Sequence, residues 1–261
     1  VPEASTYTEV LVPRLLAPWA EVLVDALEPV AGTTIVDVAT RSGAVARAVA
    51  RRLGRIGRVL ACDPSPELIA AALAITRESG AAPITYARAE GDALPYPDGI
   101  AAGVTCQHHV RVDSDPAMTL LEMHRVCAPG GRLVLAAWRR PDDSPVFAAL
   151  WSAAVDHFGT DEEGGAQWSI ADPDVLIETA RRAGWHDIDV IDRDLPIEFG
   201  GGPAEVVDVL NLTRLRERLN ALDADTHAEL IRRTTESLGS LVEHDGAVRS
   251  RTGAHFLLAR A

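Results

Sequence analysis

The residues with the most specific chemistry in this chain are two aspartates and the turn that follows the first. The run TIVDVATRSG, Thr34–Gly43, leads apolar and β-forming residues into Asp37 and ends its turn at Gly43. The run VLACDPSPEL, Val59–Leu68, brings a second apolar stretch to Asp63. An Ala/Val/Arg helix between them makes the start of a βαβ unit. In such a unit the turn after the first strand lies at a helix N-terminus, whose free backbone N–H groups hold an anionic or polar ligand group. The second acid can hold ribose hydroxyls; a helix cap or solvated turn is the bland alternative. Arg41 makes the turn unusual. It stands where such loops carry glycine, the residue used where the backbone turns left-handed or a ligand comes close.

A second group of side chains suits acid–base work. His108 and His109 directly follow the fourth apolar stretch, and imidazole titrates near neutrality. The alternative for this pair is one ring packed on the sheet and one in solvent. Trp138, Phe147, Trp151 and Trp168 cluster after the fifth stretch, where aromatics can line an apolar pocket or simply pack a cap. Tyr7 and Trp19 are placed to close an N-terminal helix over a ligand, or to pack. His124 reads as a surface residue. No spacing of His, Cys or carboxylates suggests a metal site.

The elements that position these groups alternate. Strands are expected at Ile35–Val38, Arg58–Cys62, Ile84–Arg88, Gly103–Gln107 and Arg132–Trp138, with helices at Ala44–Leu53, Pro66–Glu78 and Pro116–Cys127. Ser65 is a candidate N-cap with Pro66 in the first turn. The stretch Gly91–Gly99 reads as a loop. This pattern is that of an α/β fold with a doubly wound, mostly parallel sheet. Thr8–Leu27 reads as an N-terminal helix interrupted near Pro13 and Pro18. After Trp138, helices are expected at Val146–Phe158, Pro173–Ala183, Pro203–Leu219 and Thr226–Leu241, with strands at Asp187–Asp192 and Gly253–Ala259. The division expected is an N-terminal helical lid at 1–30, a Rossmann-like core at 31–140, and the remaining strands with a helical cap at 141–261.

Composition bounds the partners. Acids outnumber bases 38 to 25 in 261 residues, a formal charge of −13. Such a field repels phosphate backbones, so nucleic acid and anionic membranes are poor partners and a small-molecule substrate is expected. A homodimer is the one assembly the reading allows. Apolar runs stop short of the ~18 residues a membrane span needs, and the opening VPEASTYTEV has no signal-peptide character. Three cysteines without paired spacing suit reduced thiols, and the expected compartment is the cytoplasm. The Ala-, Arg- and Val-rich, Lys-poor composition suggests a bacterial gene.

The segments IVDVATRSGAVAR, ACDPSPELI, AEGDALPYPDG and MHRVCAPGGRLVLAAW, in this order and spacing, make the chain resemble class I S-adenosylmethionine-dependent methyltransferases. More narrowly it resembles the branch of the ubiquinone/menaquinone biosynthesis methyltransferases. YTEVLVPRLLAPWAEVL and GAHFLLARA extend the resemblance over most of the chain. The resemblance implies a seven-stranded Rossmann-like sheet and S-adenosylmethionine as cofactor. It also implies roles. Asp37 and the turn with Ala39, Thr40, Arg41 and Gly43 would approach the methionine portion. Asp63 would accept from both ribose hydroxyls, Pro64 would lie on the adenine face, and Asp92 and Ala93 would meet the adenine edge. Cys106, Gln107 and His108 would floor the site near the sulfonium. His109 is the first candidate for a base, and His108 for a cofactor or acceptor contact. Tyr7, Trp19, Trp138, Phe147 and Trp168 would border the substrate. The reaction implied is in-line methyl transfer to a small, largely apolar, natural-product or quinone-like acceptor, in which alignment supplies up to ~7–11 kcal/mol.

The chain departs from that family in two places. Family turns read DVATGTG, so Arg41 replaces a central glycine. It can obstruct the cofactor, alter or abolish its use, or pair with a carboxylate of cofactor or substrate. Ile100–Gly103 replaces a usual Phe-Asp pair before the fourth strand. The competing reading is a methyltransferase-like enzyme that catalyses a non-methylating cyclisation or rearrangement; a binding protein that has lost the cofactor is the third.

Overall fold

The structure, a computed structural model, describes residues 7–75, 79–108, 115–159, 171–213 and 215–261, with only the backbone of 7–11 and 212. The strands are β1 Thr34–Val38, β2 Arg58–Asp63, β3 Ile84–Arg88, β4 Ala101–Gln107, β5 Cys127–Trp138, β6 His186–Phe199 and β7 Val248–Arg260. They form one sheet in the order β3-β2-β1-β4-β5-β7-β6. The first five pair in parallel, and β7 runs antiparallel to both β5 and β6. This is the doubly wound, seven-stranded, mostly parallel sheet expected. The order reverses between β1 and β4, so the C-terminal ends of these strands flank the crevice where such sheets bind ligands.

The helices are α1 Ala17–Leu27, α2 Ala44–Leu53, α3 Pro66–Ala74, α4 Pro116–Val126, α5 Pro145–Phe158, α6 Pro173–Arg182, α7 Pro203–Val207, α8 Arg216–Asn220 and α9 Ala224–Leu238. Local chemistry starts several of them. Ser65 Oγ accepts from Leu68 N–H at 3.2 Å, with Pro66 in the first turn. Asp115 accepts from Ala117 and Met118 N–H, and Asp223 from Thr226 N–H, satisfying donors a helix start leaves open. α2 starts at Gly43, whose φ is +80°. A Cβ there would stand 2.6 Å from the Tyr86 hydroxyl, so only glycine fits.

Both sheet faces are covered. Leu120, Met123 and Val126 of α4 and Leu176 of α6 pack one face. Leu23 and Leu27 of α1 with Val49 and Leu53 of α2 pack the other. A third core lies in a cap, where Val12, Leu15, Phe147, Leu150, Phe199 and Leu230 meet. The cap stands on a hairpin extension. β5 ends at Trp138, opposite Ala254, whereas β6 and β7 continue pairing out to Phe199 and Val248. Among the described residues no helix is long and apolar enough to cross a membrane.

β5 and β7 start earlier than expected, at Cys127 and Val248, and three further elements differ from the sequence expectation. β6 runs on past Asp192 through Pro196, which is tolerated because β6 is the sheet edge. The helix expected over Pro203–Leu219 is broken at Thr213. The Thr213 hydroxyl donates to the Leu210 carbonyl at 2.7 Å and accepts from Leu215 N–H at 3.0 Å, competing with helical bonding. The N-terminal helix divides at Leu16. Tyr7–Leu16, containing Pro13, is π-helical, and α1 follows with Pro18 in its first turn.

Candidate functional site

The crevice is built from the ends of β1, β2 and β4. Ala39 and Arg41 after β1 and His108 after β4 have φ near +50°, three of the five non-glycine residues so strained among those described. Left-handed backbone at a non-glycine residue costs about 1–3 kcal/mol and concentrates at ligand sites.

Asp37, buried at the end of β1, accepts from the Thr40 hydroxyl at 2.6 Å and the Thr105 hydroxyl at 2.7 Å. Burial pushes its carboxyl up to about 6, against the pull of those two donors. Asp63 is 3% exposed and holds the turn: Oδ2 accepts from Arg41 N–H and Oδ1 from Ser65 N–H, each at 2.9 Å. Burial raises its carboxyl also, opposed by the same N–H groups. A carboxylate has about four acceptor sites, so two remain for a ligand. The Arg41 guanidinium crosses to β4 and donates to the His108 carbonyl at 3.2 Å. The Gln107 amide donates to the Leu16 carbonyl at 2.8 Å, tying the N-terminal segment over the floor.

Aromatic rings cluster at the end of β4. The His108 ring lies parallel to Trp138 with centroids 3.5 Å apart. Trp19 meets both edge-on, and Phe147 meets Trp138 edge-on at 5.4 Å. Trp19 is 1% exposed and donates from its indole to the Thr252 hydroxyl, which makes it a core residue. Both His108 ring nitrogens are buried without a partner. Burial first, then the Arg41 charge, holds its pKa well below the usual imidazole range, so the ring is neutral. Trp151 packs against the cap core.

Asp92 and Ala93 are exposed on their loop, and Pro64 is half-buried beside Asp63. Sequence reasoning missed what holds that loop. Arg125 of α4 donates to the Leu94 and Tyr96 carbonyls and to Asp98, while Glu122 accepts from Leu94 N–H. The i,i+3 spacing of Glu122 and Arg125 signals a pair but not its target. Thr105, beneath Asp37, was missed as well. Cys106 is buried in β4 beside the floor. Burial pushes Cys62 up to about 12 and Cys127 to about 11, so neither is a thiolate near neutrality. His124 is half-buried, edge-on to Trp185. His109, Trp168 and the Tyr7 side chain lie outside the described residues. Among the described residues no group of three or more His, Cys, Asp or Glu could hold a metal.

Tested against S-adenosylmethionine, the donor set fits. A buried acid ends β2, the loop carrying Asp92 is open, and a cation stands in the β1 turn. The cavity bordered by Leu16, Asp37, Thr40, Arg41 and Gln107 holds about 20 Å³, room for one water, whereas a ligand of that size needs on the order of 300 Å³.

The ubiE/COQ5 methyltransferase family matches residues 8–155 of this chain. A 2-phytyl-1,4-naphtoquinone methyltransferase of Thermosynechococcus vestitus is 29% identical over 183 residues, 65% of this chain and 80% of that protein. The ubiquinone/menaquinone biosynthesis C-methyltransferase UbiE of Enterobacter sp. is 28% identical over 132 residues, 50% of this chain and 53% of that protein. The chain thus spans about half the length of this second relative. The solved structure of the YcgJ protein from Bacillus subtilis shares the fold, with a TM-score of 0.62 at 16% identity, over 92% of this chain and 97% of that one.

Proposed function

We propose, from the premise that this chain belongs to the ubiE/COQ5 methyltransferase family, that it transfers a methyl group from S-adenosylmethionine to a small, largely apolar, quinone-like acceptor. One observation carries the reading. The strained turn Ala39–Gly43 and the buried Asp63 face an aromatic cluster across the end of β4. A polar turn and a cluster of aromatic rings therefore adjoin, the arrangement this reading needs.

Asp63 and Pro64 would hold the ribose side, with Asp92 and Ala93 at the adenine edge. Asp37, Ala39, Thr40, Arg41 and Gly43 would hold the methionine end, above Cys106. When bound, the cofactor supplies an electrophilic methyl group on a sulfonium. Trp138, Phe147 and Trp19 would orient the acceptor and exclude water, and Tyr7 and Trp168 are proposed to complete this border. His108 contributes an uncharged imidazole, a contact rather than a strong base. His109, its neighbour in sequence, is the proposed base where an acceptor must lose a proton. Quinone-type acceptors are favoured by the names of the relatives, both quinone methyltransferases. Arg41, in the turn where the family carries glycine, supports a second reading, a cyclisation or rearrangement that leaves the cofactor out.

Calorimetry with S-adenosylmethionine and S-adenosylhomocysteine tests the first reading. Micromolar binding, ~8 kcal/mol, lost more than tenfold in Asp63→Ala and in the milder Asp63→Asn, is expected. No binding up to millimolar would overturn it in favour of the second.

A further inference from the structure

Arg41 both departs from the family turn and closes the site. Its guanidinium spans from the β1 turn to the His108 carbonyl, its one side-chain hydrogen bond among the described residues. A guanidinium carries five N–H groups, so most of its donor capacity is unspent. The closed arrangement is also costly. Arg41 and His108 both hold left-handed backbone, and the His108 ring is buried with neither nitrogen bonded. The lining supplies a reason for a cation here. Asp37 borders the cavity and Asp63 accepts from the Arg41 N–H, so a carboxylate entering there meets like charge. Arg41 is the single cation in that lining.

Resting on the proposed function, we propose that Arg41 is a latch that reads the cofactor's α-carboxylate. The guanidinium holds the His108 carbonyl when no cofactor is bound. It leaves that carbonyl to pair with the carboxylate, and by leaving it opens the space between the β1 turn and the end of β4. One hydrogen bond from the guanidinium to a neutral carbonyl is exchanged for a two-pronged pair with a carboxylate, in which both partners are charged. The exchange selects adenosyl ligands that carry a carboxylate. It also couples cofactor entry to release of the β4 end, against which the acceptor wall is packed.

Calorimetry tests this with three ligands. S-adenosylmethionine and its decarboxylated form differ only in the carboxylate; 5′-methylthioadenosine lacks the amino-acid arm. The wild type is expected to prefer the carboxylated ligand by about ten- to hundredfold. In Arg41→Gln that preference should fall to about twofold or less, while 5′-methylthioadenosine binds as well as or better than to the wild type because the latch is gone. An unchanged preference in Arg41→Gln would overturn the carboxylate pairing. Weaker 5′-methylthioadenosine binding in that variant would overturn the latch. If Arg41→Gly binds S-adenosylmethionine and the wild type does not, Arg41 is an obstruction: the latch fails and the proposed cofactor site stands. If no adenosyl compound binds any of the three proteins, the proposed function fails, and the latch with it.

Discussion

Replacing Asp37 by Asn is expected to stabilise the protein at neutral pH. Asp37 is buried, and its carboxyl rises from the usual 3.8 to about 6 because burial disfavours the charged form more than its two hydroxyl donors favour it. Below about pH 3.8 the group is protonated in both folded and unfolded chains and costs nothing. Between 3.8 and 6 the folded chain keeps a proton that the unfolded chain has lost, so stability falls as pH rises. Above 6 the full cost applies, about 3 kcal/mol at ~1.4 kcal/mol per pH unit. Asn has the same shape. It can accept from one threonine hydroxyl and donate to the other, since a hydroxyl serves in either role. Asp37→Asn should therefore exceed the wild type by up to about 3 kcal/mol at pH 7.5, with the excess shrinking toward zero near pH 4. Urea unfolding of both proteins at a series of pH values, followed by circular dichroism, measures the difference and cancels the other titrating groups. A difference that stays constant across that range, or a variant less stable at pH 7.5, would refute the reasoning.

Two further outcomes follow from the same physics. Arg125→Ala removes donors from the Leu94 and Tyr96 carbonyls and strands the Glu122 carboxylate; it should cost about 2–3 kcal/mol and speed amide exchange in Gly91–Gly99, and unchanged exchange there would count against the clamp. His108→Phe keeps a ring against Trp138 and deletes two unsatisfied buried nitrogens; a gain of about 1–2 kcal/mol in thermal or chemical unfolding is expected, and a loss would mean that the imidazole has a partner when the protein is in water.

Much of the core was legible because its signals are local. Apolar runs ending in Asp37 and Asp63, glycines at the ends of Ala44–Leu53, and Ser65-Pro66 at a helix start depend on neighbours a few residues away, and the structure keeps these elements in place. The cap was harder to read. The break at Thr213 turns on where one hydroxyl points, and the length of β6 and β7 on their being each other's partners at the sheet edge. Periodicity carries neither.

The sequence by itself determined the alternating strands and helices and the family, since composition and short-range spacing encode these. Only the tertiary structure decided how the side chains of the site are spent. It turned Asp63 onto two backbone N–H groups, laid His108 on Trp138, buried Trp19 in the core, set Arg125 under the loop, and stretched Arg41 across the crevice. Apart from the Asp63–Ser65 bond, these contacts join residues far apart in the chain. Their geometry follows from how the strand ends converge, which no local pattern records.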